Sequence, residues 1–454
     1  MSVNPADSTV LGGLFGTDAM RAVFGERRWL QAMLDVEAAL ARVEARLGIV
    51  PQAAAEAITK AARADILSLD ELARGTANTG YPVVALTKAL AKAAGAEAGG
   101  YVHWGATTQD ILDTALVLQM RAGLALLERD LVRVARALVA RAEAHRGTVM
   151  AGRTHLQHAL PVTFGYKCAV WAAPLLDDLD RLEGVRRRAL KAQLAGAVGT
   201  LAALGDQGRA VTEGLARELG LAAPDAPWHV ARDALAEVAG WLAVLCGNLG
   251  KFATDIVLLM QTEVGEVNEP HQAGRGGSST MPQKRNPIAS EYVLAAMRGV
   301  HALVPLVYAA MAQDQERATV PWQSEQLALP QCFVLAAGAV AHAAAIAEGM
   351  AVDAQRMRAN LDLTRGLILA EAAMMALAPA LGRGAAHAAV EHACARALAE
   401  NTTLAEALRQ EPTVAGRIDA RALDRLADPT AYLGECAEVI ARVAARAARL
   451  LPAR

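Results

Sequence analysis

Thr107–His145 reads TTQDILDTALVLQMRAGLALLERDLVRVARALVARAEAH, with no proline anywhere in it. Leu112, Leu116, Met120, Leu124, Leu127, Leu131, Val134 and Leu138 recur at intervals of three and four, which places them on one face of a single long helix. At 1.5 Å per residue such a rod is about 55 Å long, well beyond the usual globular helix. Similar patterns run over residues 162–193, 230–262 and 288–311. Several rods of this length predict an all-α fold built on a long-helix bundle. Alanine supplies helix propensity and lets rods approach closely, so few aromatics are needed.

Composition narrows the class. Of 454 residues 54% are hydrophobic and only 4% aromatic, which excludes a disordered chain. Acidic and basic side chains, 47 against 45, nearly cancel, and that argues against a nucleic-acid partner. Cys168, Cys246, Cys332, Cys394 and Cys436 lie far apart with no CxxC pair. A disulfide framework or a cysteine zinc site is therefore excluded, and a reducing, cytoplasmic setting is expected. The polar start MSVNPADST predicts no secretory signal. Residues 326–347 carry no charge and are long enough to span a bilayer. Their Ala and Gly content, interrupted by Pro330, Gln331 and His342, instead predicts a helix buried on all sides, with no membrane.

Strand alternation is nearly absent. Glycine-rich breaks fall at 195–200 (AGAVGT) and 273–280 (AGRGGSST), and after Met350 the helices shorten. The expected organisation is an N-terminal helical domain over 1–105, the central bundle over 106–350 and a C-terminal helical domain over 351–454.

The break at 273–280 is the most loop-like place in the chain and leads into the segment 276–287, GGSSTMPQKRNP. Gly276 and Gly277 tolerate backbone angles that other residues resist. A loop of this kind can aim several N–H groups at an anion while Lys284 adds a mobile positive charge. A Ser–His–Asp acyl-transfer triad is the rival chemistry, but the chain has no GxSxG elbow and no strands to mount one. There is no HExxH motif, so no metal is expected.

This loop resembles the signature S-S-x-M-P-x-K-x-N of the fumarase/aspartase superfamily, matching it at Ser278, Ser279, Met281, Pro282, Lys284 and Asn286. Two further superfamily regions match in order: GATTQD (105–110) and GRTHLQH (152–158). Within the superfamily, TLAALGDQG (200–208), PWHVARD (227–233), LLMQTEVGEVNEP (258–270) and NLDLTRGLILAEA (360–372) are similar to the 3-carboxy-cis,cis-muconate cycloisomerase branch.

The resemblance implies a cofactor-free elimination from a small succinyl-type di- or tricarboxylate. A base takes a proton beside a carboxylate, an aci-carboxylate forms, and a leaving group departs. It implies Ser278 as the base, with Ser279 as fallback and substrate contact. Lys284, Asn286 and Met281 would face the substrate, joined by His103, Thr107, Thr108, Thr154, Gln157, Arg317 and Arg21. For Thr107 and Thr108 a plain helix cap is the competing reading, and for Arg21 and Arg317 a surface salt bridge.

His155 stands where adenylosuccinate and argininosuccinate lyases carry a catalytic histidine, and Glu291, five residues after Asn286, stands where they carry its carboxylate partner. Such a pair suits proton donation to a leaving group. Some muconate cycloisomerases have tryptophan and no glutamate at these positions. The residues therefore rank C–N cleavage releasing fumarate first and the cycloisomerase second. A catalytically dead helical scaffold is a third reading, disfavoured by the intact set. The resemblance also implies a homotetramer whose active sites take residues from three subunits, with the uncharged 326–347 helix buried between them.

Overall fold

The computed structural model of the chain describes residues 4–270, 276–277, 280–417, 420–425 and 427–451. The fold is all-α, of the fumarase/aspartase type. Six helices carry the argument: α1 (Glu26–Arg46), α2 (Thr108–Ala144), α3 (Phe164–Ala189), α4 (Asp233–Leu259), α5 (Ile288–Ala309) and α6 (Pro321–Gly349). The leucine face read from the sequence is the buried face of α2, where Leu124, Leu127, Leu131, Val134 and Leu138 have essentially no exposure. Each such side chain stabilises the fold by about 1.5–3 kcal/mol relative to an exposed one. Gly123 lies within the unbroken α2, where a Cβ would come within 2.8 Å of the Phe333 ring, so the close approach requires glycine.

The described residues form two compact units. The first comprises residues 1–131, 178–249 and 292–341, the second 132–177, 250–291 and 342–454. Each takes one stretch of every helix from α2 to α6. In the first unit α1 and the start of α2 share a core of Met33, Leu34, Ile58, Leu86, Leu90, Ile111 and Leu112. In the second, Leu377, Ala393, Leu404 and Leu408 centre one cluster, and Ala151, Leu361, Ile368 and Leu369 another.

One feature runs against the expected near-absence of strands. β1 (Val149–Thr154) and β2 (Gln157–Thr163) form an antiparallel hairpin inside the GRTHLQH region. A bulge between Ala151 and Arg153 breaks its alternation, and Pro161 sits opposite Ala151, so the period-two signal is lost from the sequence.

By length and composition α4, α5 and α6 are apolar enough to cross a membrane. In α6, which contains the uncharged 326–347 stretch, 72% of the most apolar 18-residue stretch is buried within the chain, so intrachain packing covers most of it. For α5 the corresponding share is only 28%, with Leu306 and Tyr308 exposed. Of the three, α5 therefore leaves the largest share of its apolar stretch uncovered within the chain.

Candidate active site

In the first unit the candidate site residues gather at the N-terminus of α2. Four unpaired N–H groups and the helix dipole make such an end attractive to a carboxylate. Asp110, in the first turn, accepts from Thr107 N (3.0 Å), Ala195 N (2.9 Å) and Gly196 N (3.0 Å). It therefore performs the back-half of a capping box and also ties the 195–200 turn against the helix end. Burial pushes Asp110 up to about 6 despite these hydrogen bonds. With Asp110 as the cap, the Thr107 and Thr108 hydroxyls make no hydrogen bond among the described residues. The competing plain-cap reading needed the Thr107 hydroxyl to be spent on the helix, and here it is not.

Arg317 belongs to this same corner. Its Nη1 donates to Gln109 Oε1 at 2.5 Å, and its Nη2 donates to the carbonyls of Gly196 (3.0 Å) and Ala197 (3.1 Å). Gln109 Nε2 in turn donates to the His229 carbonyl at 2.9 Å. Among the described residues the guanidinium makes no salt bridge, and it clamps the 195–200 turn to α2. Arg21 lies apart from this corner, donating to the Gly12 carbonyl at 2.7 Å and pairing with Asp18.

His103 precedes the helix in a turn, with φ 64, left-handed for a residue that has a Cβ. Its Nδ1 lies 2.6 Å from Glu37 Oε1. Burial pulls the imidazole down, but the hydrogen bond and charge of Glu37, with Asp110 adding, outweigh it and hold His103 above its ordinary value.

In the second unit Thr154, His155 and Gln157 cluster at the hairpin tip, all exposed. His155 and Leu156 form its two-residue loop with φ 50 and 63. Two positive φ values are what a type I′ turn requires, usually met by Asn-Gly. Here each residue bears a strain of about 1–2 kcal/mol. The tip is held by Arg153, whose two terminal nitrogens donate to the buried Glu266 at 2.9 and 2.7 Å, while Asn360 Nδ2 donates to the same carboxylate at 2.7 Å.

The signature loop is closed at its base by Asn286 N donating to the Gly276 carbonyl (3.0 Å) and by the Gly277–Arg285 bridge. Gly276, with φ 76, meets the Asn286 carbonyl so closely that a Cβ would lie at 3.1 Å. Met281 and Lys284 are exposed and Asn286 is half-buried. The expected base Ser278 and its fallback Ser279 lie outside the described residues. Just beyond the loop, Glu269 accepts from Ala289 N, Ser290 N and Ser290 Oγ at 2.7–3.0 Å, capping α5. Glu291 lies in the first turn of α5, exposed. No hydrogen bond or ion pair joins it to His155 within the chain among the described residues. Also among the described residues, no group of three or more His, Cys, Asp and Glu could hold a metal ion.

Reading the sequence missed the supporting carboxylates Glu37, Glu266 and Glu269, and took Asp110 only as a first-turn acid. Glu37 left a signal: it falls in the apolar stripe of α1, three residues from Leu34 and Leu40. A carboxylate at a core position requires a partner.

The chain matches the model of the family described as lyase over residues 15–303 and that of the adenylosuccinate lyase C-terminus over 366–443. It is 50% identical to a 3-carboxy-cis,cis-muconate cycloisomerase of Pseudomonas aeruginosa, covering 98% of this chain and 97% of that one. The crystal structure of the 3-carboxy-cis,cis-muconate lactonizing enzyme from Pseudomonas putida superposes with a TM-score of 0.92 at 45% identity, covering 98% and 100% of the two chains. That of a fumarate lyase from Mesorhizobium sp. BNC1 does so with a TM-score of 0.89 at 47% identity, covering 95% and 98%. The chain belongs to the fumarase/aspartase superfamily of lyases and cycloisomerases and is itself an enzyme of that class. Its similarity within the superfamily is to the 3-carboxy-cis,cis-muconate cycloisomerases.

Proposed function

We propose that the chain is a 3-carboxy-cis,cis-muconate cycloisomerase, interconverting the open tricarboxylate and its lactone. The observation that carries this is the 50% identity over nearly the whole of both chains to an enzyme of that name. The ranking drawn from His155 and Glu291, with amine elimination first, gives way to it. The chemistry is continuous with the superfamily's: lactone opening is a β-elimination in which the leaving group is a carboxylate. Ser278 takes the proton beside a substrate carboxylate. Lys284 and Asn286 of the same chain hold the aci-carboxylate, and in the proposed assembly the α2 N-terminus of another chain, with its Thr107 and Thr108 hydroxyls, holds another carboxylate. The C–O bond then breaks. Ring closure runs the same steps backward, with the serine returning its proton to carbon.

The second reading, C–N elimination releasing fumarate, is favoured by one observation, the presence of both His155 and Glu291. An amine leaves far less readily than a carboxylate and needs an acid as the bond breaks. The assembly proposed for either reaction is a homotetramer. His155 and Glu291 are both exposed and unpaired with each other in one chain, and the uncovered apolar face of α5 is suited to packing against a second copy.

Purified enzyme mixed with 3-carboxy-cis,cis-muconate should abolish the diene absorbance as lactone forms. Inertness toward it, together with fumarate release from an N-substituted aspartate, would transfer the assignment to the second reading.

A further inference from the structure

Two glutamates on α1 are buried without the number of partners a carboxylate normally requires. Glu37 is 1% exposed and Glu44 not at all. Seven residues apart, they lie two turns from each other on one helix face. Glu37 Oε2 and both oxygens of Glu44 have no hydrogen-bond partner among the described residues. Among the described residues the pair's one side-chain contact is Glu37 Oε1 to His103 Nδ1, at 2.6 Å. His103 reaches it from a left-handed backbone conformation, one a histidine adopts only when the surroundings hold it there. Two residues further on, Gly105 opens the turn that leads to Thr107, Thr108 and the N-terminus of α2.

We propose that Glu37 is a positioning residue for His103: it takes the Nδ1–H and locks the ring so that Nε2 is aimed at a substrate carboxylate at the α2 N-terminus. This rests on the reading of that corner as a substrate site. The charged groups facing His103 are Glu37 from α1 and Asp110 from α2, both acidic, and both favour the imidazolium. Glu44, pushed up to about 8 by burial and by the charge of Glu37, is neutral at ordinary pH. Glu37 lies one layer behind the ring and touches no substrate. It acts through the histidine, as second-layer carboxylates commonly fix a histidine's tautomer.

The test separates the positioning from the site. Glu37→Gln keeps an acceptor for Nδ1–H but removes the charge, and Glu37→Leu removes both. Carbethoxylation of His103 by diethyl pyrocarbonate, followed across pH by peptide mass spectrometry on the intact enzyme, reads the histidine's titration without any substrate. The expected result is a midpoint above the ordinary histidine value in the wild type and a lower one in Glu37→Gln. The alkaline limb of kcat/KM should move down with it, by about tenfold in rate for each pH unit of displacement. Glu44→Gln should leave both near wild type at pH 7. An unchanged His103 midpoint in Glu37→Gln overturns the proposal. A lowered midpoint with kcat/KM untouched, in Glu37→Gln and His103→Ala alike, overturns the reading of this corner as a substrate site and the catalytic part of the proposal with it. Should Glu37→Leu fail to fold, the near-isosteric Glu37→Gln still decides.

Discussion

Replacing Glu44 with methionine should remove most of this protein's loss of stability between mildly acidic and mildly alkaline pH. The carboxyl is fully buried with neither oxygen paired, and burial first, then the charge of Glu37, raise it from 4.5 to about 8. For an acid raised on folding, the folded chain holds a proton that the unfolded chain releases. Stability is therefore fully present below about pH 4.5 and declines as pH rises through about 8. Between pH 5.5 and 8.5 these two values give a loss of order 3 kcal/mol. Methionine matches the length, carries no charge and leaves no unpaired polar atom. Its stability at pH 8.5 should exceed wild type by an amount of that order, and its advantage at pH 5.5 should be much smaller. Urea unfolding at both pH values, at one fixed protein concentration because assembly contributes, measures the difference. Parallel changes in wild type and variant across the interval would refute the assignment of the titration to Glu44.

Three further outcomes follow from the proposed site. Ser278→Ala should lower turnover by several orders of magnitude with the circular dichroism unchanged, and near-normal turnover would move the base to Ser279 or elsewhere. Mixing and reassembling inactive His155→Ala and Ser278→Ala subunits should restore part of the activity if sites are shared between chains, whereas an active monomer in sedimentation would exclude sharing. Asp110→Asn turns an amide donor toward the Thr107, Ala195 and Gly196 N–H groups or leaves one unpaired, costing about 1–3 kcal/mol, and should raise KM more than it lowers kcat, as steady-state kinetics would reveal.

The rods were legible because a 3.6-residue period sustained over many turns has no competing explanation. The ends expected at 162–193 and 288–311 fall within four residues of the observed Phe164–Ala189 and Ile288–Ala309. The hairpin of residues 149–163 was not legible. Its bulge cancels the alternation, and His155–Leu156 occupy left-handed positions that sequence rules assign to Asn-Gly. The same holds for the site. Asp110 could be seen near a helix start, but not that it would reach across to Ala195 and Gly196, and so release the threonine hydroxyls. Glu37 and His103 are 66 residues apart, and local pattern carries no information about a contact at that separation.

Both functional readings use the same anion-holding parts, so those parts cannot separate the leaving groups. What separates them is an acid, and the candidate acid sits on an exposed turn of the second unit with two consecutive left-handed residues. A single chain gains nothing from holding His155 and Leu156 at positive φ with Leu156 69% exposed. The Arg153–Glu266–Asn360 cluster, with Glu266 and Asn360 buried, maintains the base of that tip regardless. Strain kept in place by an ion pair to a buried carboxylate, at a surface bearing an apolar side chain, is compensated most simply when a second copy covers it. The acid would then be complete only in the assembly, and the choice between lactone and amine chemistry would depend on which carboxylate or water the neighbouring chain brings to His155, rather than on the loop that carries the signature.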